Sequence, residues 1–317
     1  MSTYDQLPLT KSSDDIVLAG LPAPRAGDGL AGLGLRLAAS GLIPPRWFSP
    51  PVPPLAARRT VTGTLNLEIV SHCWRYANFL TYQLSSLVLF PPRGARVTMT
   101  VYHAREDVET SALLDYFGAM EVDNVRWQWR ALPREQLFRR SIGRNHAALH
   151  TEADWIWFTD CDLLFRENCL DALAAELRGR RDALVYPREE RVTSLLAGGD
   201  PLLDGGTPAL RDIPSSRFQA LRRSRAVGPL QITHGDVARA CGYCRDVLLY
   251  QTPARQWCKA YEDRAFRWLL GTQGVPIDVP GVYRIRHADK GRYTGSELET
   301  TLRSRVRRVA ERLKRRA

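Results

Sequence analysis

Between residues 65 and 189 the chain alternates strand-like segments with segments whose apolar residues recur at helical spacing, and that alternation leaves few folds open. LNLEIVS (65–71), ARVTMTVYH (95–103), NVRWQWRAL (124–132), DWIWFTD (154–160) and DALVYPRE (182–189) read as strands. WRYANFLTYQLSSLVLF (74–90), VETSALLDYFG (108–118), PREQLFRRSIGRNHAALHTE (133–152), opened by Pro133, and NCLDALAAELRG (168–179) read as helices between them. No Asn-Gly hairpin signal interrupts the series. Strands separated by helices predict βαβ units, hence an α/β fold with a mostly parallel, Rossmann-like central sheet flanked by helices.

The flanks differ in texture. Residues 1–60 hold clusters such as LPAPRAGDGLAGLGL and FSPPVPPLAARR without a sustained period, which predicts a poorly ordered or wrapping Pro/Gly/Ala-rich segment. Residues 61–290 form the expected main domain. Within it, LLAGGDPLLDGGTPALRDIPSS (195–216) is too long for a connector and reads as a flexible lid. Structure returns with GPLQITHG (228–235), a short helix near Val237–Cys241, a helical region ending at Gly271, and strands around VPIDVPGVYRIRH (275–287).

Residues 291–317 form the third region. The net charge of +11 is concentrated there, since the last seventeen residues carry eight Lys/Arg and one Glu. Leu302, Val306, Val309 and Leu313 form one narrow apolar stripe among those arginines, as in a helix lying on anionic lipid, touching nucleic acid or packing on the body. No run of 18 apolar residues occurs, and MSTYDQLPLTKSSDD lacks the marks of a signal peptide, so a cytoplasmic protein is expected, with the basic helix as its contact to the inner membrane surface. Six cysteines in a chain this long make no disulfide scaffold. CGYC (241–244) has the spacing of half a zinc site but lacks a second half.

One apolar, tryptophan-rich run, WIWFTDCDLLF (155–165), carries two acids at its centre. An unpaired carboxylate in a core costs several kcal/mol, so Asp160 and Asp162 mark either the strand's end or a site that meets them with positive charge. Ligands of open α/β sheets bind beyond the carboxyl ends of strands, which is where Asp160 falls. If the chain stays extended, the two side chains point the same way, about 7 Å apart, a spacing that suits a metal-bound diphosphate. The bare pair is weak, because a chain with this many aspartates produces one Asp-x-Asp by chance; its place at the end of the fourth strand gives it meaning. Trp127, Trp129, Trp155 and Trp157 read as core.

Three segments in order now match a known group. IGRNHAALHTEADWIWFTDCDLLF (142–165), GPLQITHGDVARACGYCRD (228–246) and YEDRAFRWLLGTQG (261–274) resemble the landmarks of nucleotide-sugar-dependent glycosyltransferases of the GT-A fold, nearest to the inverting family 2. The resemblance implies that Asp160 binds the nucleotide ribose or the metal and that Asp162 ligates Mn²⁺ or Mg²⁺ on the diphosphate. It implies Asp263 as general base, its proton affinity raised by Glu262 beside it, and His287 as a further metal or diphosphate ligand. Ser71, Asp107 and Arg144 are the remaining donor-side residues. The implied donor is a nucleotide-sugar, a UDP-sugar first, and the implied acceptor a glycan, a lipid-linked glycan or a protein. Two landmarks depart: the first strand runs into SHCWRYANF, and the second ends in VYHARED, with Asp107 alone where a pair of acids reads the base.

Two other functions compete. A haloacid-dehalogenase-type phosphatase also places Asp-x-Asp after a strand, but near the start of its domain and not before Leu163-Leu164. A non-enzymatic membrane or nucleic-acid adaptor would explain the arginine tail and leave the strand-end acids without a purpose.

Overall fold

The computed structural model describes residues 12–16, 18–196, 199–257 and 261–287. The basic tail and Cys258 lie outside the described residues. Along the chain run β1 (Ser12–Asp15), α1 (Gly29–Leu37), β2 (Leu65–His72), α2 (Ala77–Leu89), β3 (Ala95–His103), α3 (Val108–Gly118), β4 (Val125–Ala131), α4 (Arg134–Leu137), α5 (Arg140–His150) and β5 (Trp155–Phe158). They are followed by β6 (Leu163–Phe165), α6 (Cys169–Leu177), β7 (Leu184–Pro187), β8 (Glu189–Thr193), β9 (Phe218–Arg222), β10 (Gln231–His234), α7 (Gly235–Cys241), α8 (Glu262–Leu269), β11 (Val275–Ile277) and β12 (Val282–Arg284).

The large sheet has the order β1-β4-β3-β2-β5-β10-β7-β11. Every pairing in it is parallel except those of β10, which runs antiparallel to β5 and β7. The α/β class with a mostly parallel sheet is therefore present, and the antiparallel β10 is the element that strand-helix alternation could not show. After β2 the chain adds β3 and β4 on one side and then returns to lay β5 on the other. That reversal opens a crevice between the carboxyl ends of β2 and β5, the place where doubly wound sheets hold their ligands.

A second sheet, β6-β12-β8-β9, sits beyond that edge. Its first strand begins three residues after Asp160, so the apolar run 155–165 serves two sheets, one on each side of the acidic pair. All four tryptophans of β4 and β5 are buried, and Trp157 donates its indole N–H to Pro229 O at 2.9 Å.

The helix expected over 133–152 is two. Arg139 leaves helical geometry (φ −105°, ψ 85°) because its buried guanidinium donates to Asp28 Oδ1 at 2.7 Å and to Thr252 O at 3.1 Å. The break lets α5 start at Arg140 on a new axis. Gly143 then admits α5 against the sheet, since a Cβ there would overlap the His72 ring and crowd Tyr102.

The 195–216 stretch, expected as a lid, lies along α2 over its described residues. Asn78 donates to Leu203 O, Thr81 to Ala209 O, and Ser85 Oγ accepts from the Arg211 N–H. Residues of the N-terminal segment run along the body: Arg25 exchanges backbone bonds with Pro253 and Arg255, and Trp268 donates to Ile43 O at 2.9 Å.

Candidate active site

The chain does not stay extended through the acidic pair. Leu163 N–H closes a turn on Asp160 O at 3.2 Å, and the two carboxylates meet different partners. Asp160 Oδ1 accepts from Arg140 Nη1 at 2.7 Å and from Arg144 Nη2 at 3.3 Å. Asp162, buried at 6% exposure, has Oδ2 at 3.9 Å from His287 Nε2, while its backbone oxygen accepts from the Ile285 N–H. The His287 ring stacks on Phe79 (centroids 4.2 Å apart) and meets Tyr76 edge-on. The core-like run thus tolerates two acids because arginines meet one and a histidine faces the other.

Arg140 is the hub of the first group. It also donates through Nε to Glu262 Oε1 at 3.2 Å, linking the end of β5 to the first residue of α8. Burial works against its charge, but Asp160 and Glu262, with smaller help from Tyr243 and Asp263, hold its pKa above the usual arginine range. It stays a guanidinium at every working pH. Arg144, fully buried, donates to Thr159 O at 3.0 Å and to the Tyr243 hydroxyl at 2.9 Å; that hydroxyl donates to Gln231 Oε1, and Gln231 Nε2 donates to Asp263 O. Burial pushes the Tyr243 phenol well up, so it acts as a neutral relay of hydrogen bonds. Burial, with Arg144 and Arg140 behind it, holds His72 beneath α5 neutral.

Glu262 and Asp263 open α8 as neighbours with different surroundings. Glu262 is buried at 1% exposure, facing Arg140. Asp263 is a third exposed, with Oδ2 at 3.9 Å from Arg267 one helical turn on. Of the two, Asp263 is the one that solvent reaches.

Ser71 and Asp107, expected on the donor side, are engaged with other protein groups. Ser71 is fully buried and donates to Gln83 Oε1 at 2.6 Å; Gln83 in turn donates to Asp160 O at 3.0 Å, so Ser71 supports the Asp160 turn from behind. Asp107 caps α3, accepting from Thr110 Oγ1 at 2.7 Å and from the Arg75 N–H at 2.5 Å. Cys241 and Cys244 are buried free thiols, with Cys244 Sγ against Glu262 O at 3.6 Å. Arg140 was missed by sequence reasoning although its signal was present: it stands four residues before Arg144, one turn along the same helix face.

The chemistry of the donor set bears on the implied metal. Among the described residues no three His, Cys, Asp or Glu side chains gather to hold an ion. Asp162 Oδ2 and His287 Nε2 do converge, while Asp160 is engaged with arginines. Two protein ligands fit a hard cation of the kind that takes the rest of its shell from water and substrate phosphate. A separate groove of about 980 Å³ runs along β2–β4 beside α5, lined by Glu68, Arg96, Arg126, Arg130 and His146 among others and by none of the acids of this cluster.

The strand-order reversal gathers Asp160, Asp162 and Arg140 at the carboxyl ends of the strands, the place where open α/β sheets hold their ligands. Residues 119–197 match the model of glycosyl transferase family 2, the family that the motifs resemble. The matched stretch holds Arg140, Arg144, Asp160 and Asp162; Glu262, Asp263 and His287 lie beyond it. Among solved structures, S. aureus TarS 1–349 is similar at 14% identity over 72% of this chain and 59% of that chain, with a TM-score of 0.37. The same fragment in complex with UDP-GlcNAc is similar at 12% identity over 72% and 57%, with a TM-score of 0.38. The match thus spans less than two thirds of either fragment. No curated protein matches the chain.

Proposed function

We propose that this chain is a metal-dependent, inverting glycosyltransferase that moves a sugar from a nucleotide-sugar, a UDP-sugar first, to an acceptor hydroxyl. One observation carries the reading. In a chain whose residues 119–197 match family 2, Asp160, bound by two arginines, is tied through Arg140 to the Glu262-Asp263 pair that opens α8.

Each group has a task in that reading. Asp160 receives the donor's ribose, Arg140 stands where a diphosphate would gain from fixed positive charge, and the buried Arg144 holds Asp160 in place. Asp162 and His287 would hold the divalent cation, which when bound supplies charge neutralisation to the departing nucleoside diphosphate. Asp263 takes the proton of the acceptor hydroxyl as that oxygen bonds to the anomeric carbon. The bond from that carbon to the phosphate oxygen breaks, and its electron pair leaves with the nucleoside diphosphate. A single displacement from the opposite face inverts the configuration. Glu262 is a positioning residue, since it acts through Arg140. The basic tail would bring the protein to the inner membrane surface.

Nucleoside diphosphate release, followed by a coupled assay with each donor, tests the base. Asp263→Asn should lower turnover by about a hundredfold or more while donor still binds. Unchanged turnover in that variant would remove Asp263 from the mechanism.

A further inference from the structure

Helix α1 breaks the usual rule for a surface helix. Its sequence, GLAGLGLRL, is apolar nearly all round, a composition that belongs in a core. Gly32 and Leu35 face the body, yet Leu30, Leu33 and Leu37, at i, i+3 and i+7, stand 86%, 52% and 57% exposed on the other side. The same wrapping segment exposes Trp47 at 69%. Contiguous apolar surface of this kind marks an interaction site.

Charge selects the occupant. From residue 18 to residue 60 the chain holds five arginines (Arg25, Arg36, Arg46, Arg58, Arg59), of which Arg59 pairs with Asp236, and one acid, Asp28, which is committed to Arg139. A second copy of the chain would bring two such positive segments together. An anionic bilayer meets both features, taking leucine and tryptophan at the acyl boundary and arginines at the headgroups.

The segment is also fixed to the proposed base. Arg36 lies over the Tyr261 ring, 3.8 Å from its centroid, immediately before Glu262 and Asp263. Arg264 donates to Ala39 O at 3.2 Å, and Phe48 packs on Trp268 of α8. What the leucine face touches is therefore held beside α8, the helix that carries Asp263.

We propose that α1 and Trp47 form a second membrane contact, apart from the basic tail, that seats the protein on an anionic lipid surface so that Asp263 meets an acceptor hydroxyl borne by a membrane lipid. The acceptor part rests on the transferase reading above. The test is co-sedimentation of the full chain with phosphatidylcholine vesicles, with and without phosphatidylglycerol. It compares wild type with a Leu30→Ser, Leu33→Ser, Leu37→Ser variant whose tail is intact. Wild type should bind the anionic vesicles, and the variant should bind about tenfold more weakly at an unchanged melting midpoint. If the triple variant melts early, Leu30→Ser alone, at the most exposed position, should still weaken binding. Equal binding by wild type and variants, or no binding by wild type, would overturn the proposal. So would a wild-type dimer that the substitutions split into monomers, since the face would then be covered by a second copy. Donor-induced thermal shifts, measured in parallel, separate the two claims: a variant that loses vesicles but keeps its donor shift supports the contact, whereas a missing shift in every protein indicts the transferase reading alone.

Discussion

At the scale of single residues, Arg140 holds the cluster together. It neutralises Asp160 and a nearly inaccessible Glu262 at once, so Arg140→Met leaves a buried carboxylate without its partner. Removing one member of a buried pair costs about 3 kcal/mol, which a urea melt reads directly. Adding Glu262→Gln to Arg140→Met should restore most of that stability and none of the turnover; a single variant as stable as wild type would show that the pair contributes nothing. Asp160 and Asp162 were legible in the sequence because acids inside an apolar run contradict their surroundings. Arg140 was legible only as a second arginine on the helix face of Arg144, and which acids it meets depends on the path of α5. The different partners of Asp160 and Asp162 depend on a turn at Cys161, and strand periodicity carries no sign of it.

At the scale of elements, α5 brings both arginines to the strand ends, and it does so over Gly143. Gly143→Ala should cost about 1–3 kcal/mol through collision with His72 and Tyr102. It should also weaken donor binding by moving Arg140 and Arg144; a variant that melts and binds like wild type would mean that α5 has room to spare. Alternating strands and helices gave away β2 to β5 with their helices because each buries a regular face. The break at Arg139 stayed hidden because its cause is Asp28, more than a hundred residues away in the chain. The antiparallel β10 and the second sheet escaped for a related reason: short buried strands look alike whichever way they run.

At the scale of the whole molecule, buried and half-buried histidines set an acid limit. Burial foremost pushes His72, His103, His146 and His234 below the ordinary histidine range, His146 to about 4. The folded protein keeps these rings neutral where the unfolded chain, titrating near 6.5, takes up protons, so their contribution is complete above that value and is lost as pH falls toward about 4. Glu68, whose carboxyl burial raises, works the other way but is one group against four. The melting midpoint followed by circular dichroism should therefore drop between about pH 7 and about pH 5; a flat profile would mean that the rings gain protons in the folded state.

The central claim is that the crevice at the ends of β2 and β5 holds a metal-bound nucleotide-sugar. The most direct measurement is a thermal-shift panel of UDP-, GDP-, CMP- and dTDP-sugars, each with and without Mn²⁺, on wild type and Asp162→Ala, because a ligand that binds only the folded state raises the midpoint by mass action. A Mn²⁺-dependent rise with one nucleotide, UDP first, is expected, and Asp162→Ala should lose it while keeping the wild-type midpoint without ligand. No rise with any donor, or a rise that Asp162→Ala leaves intact, would contradict that claim.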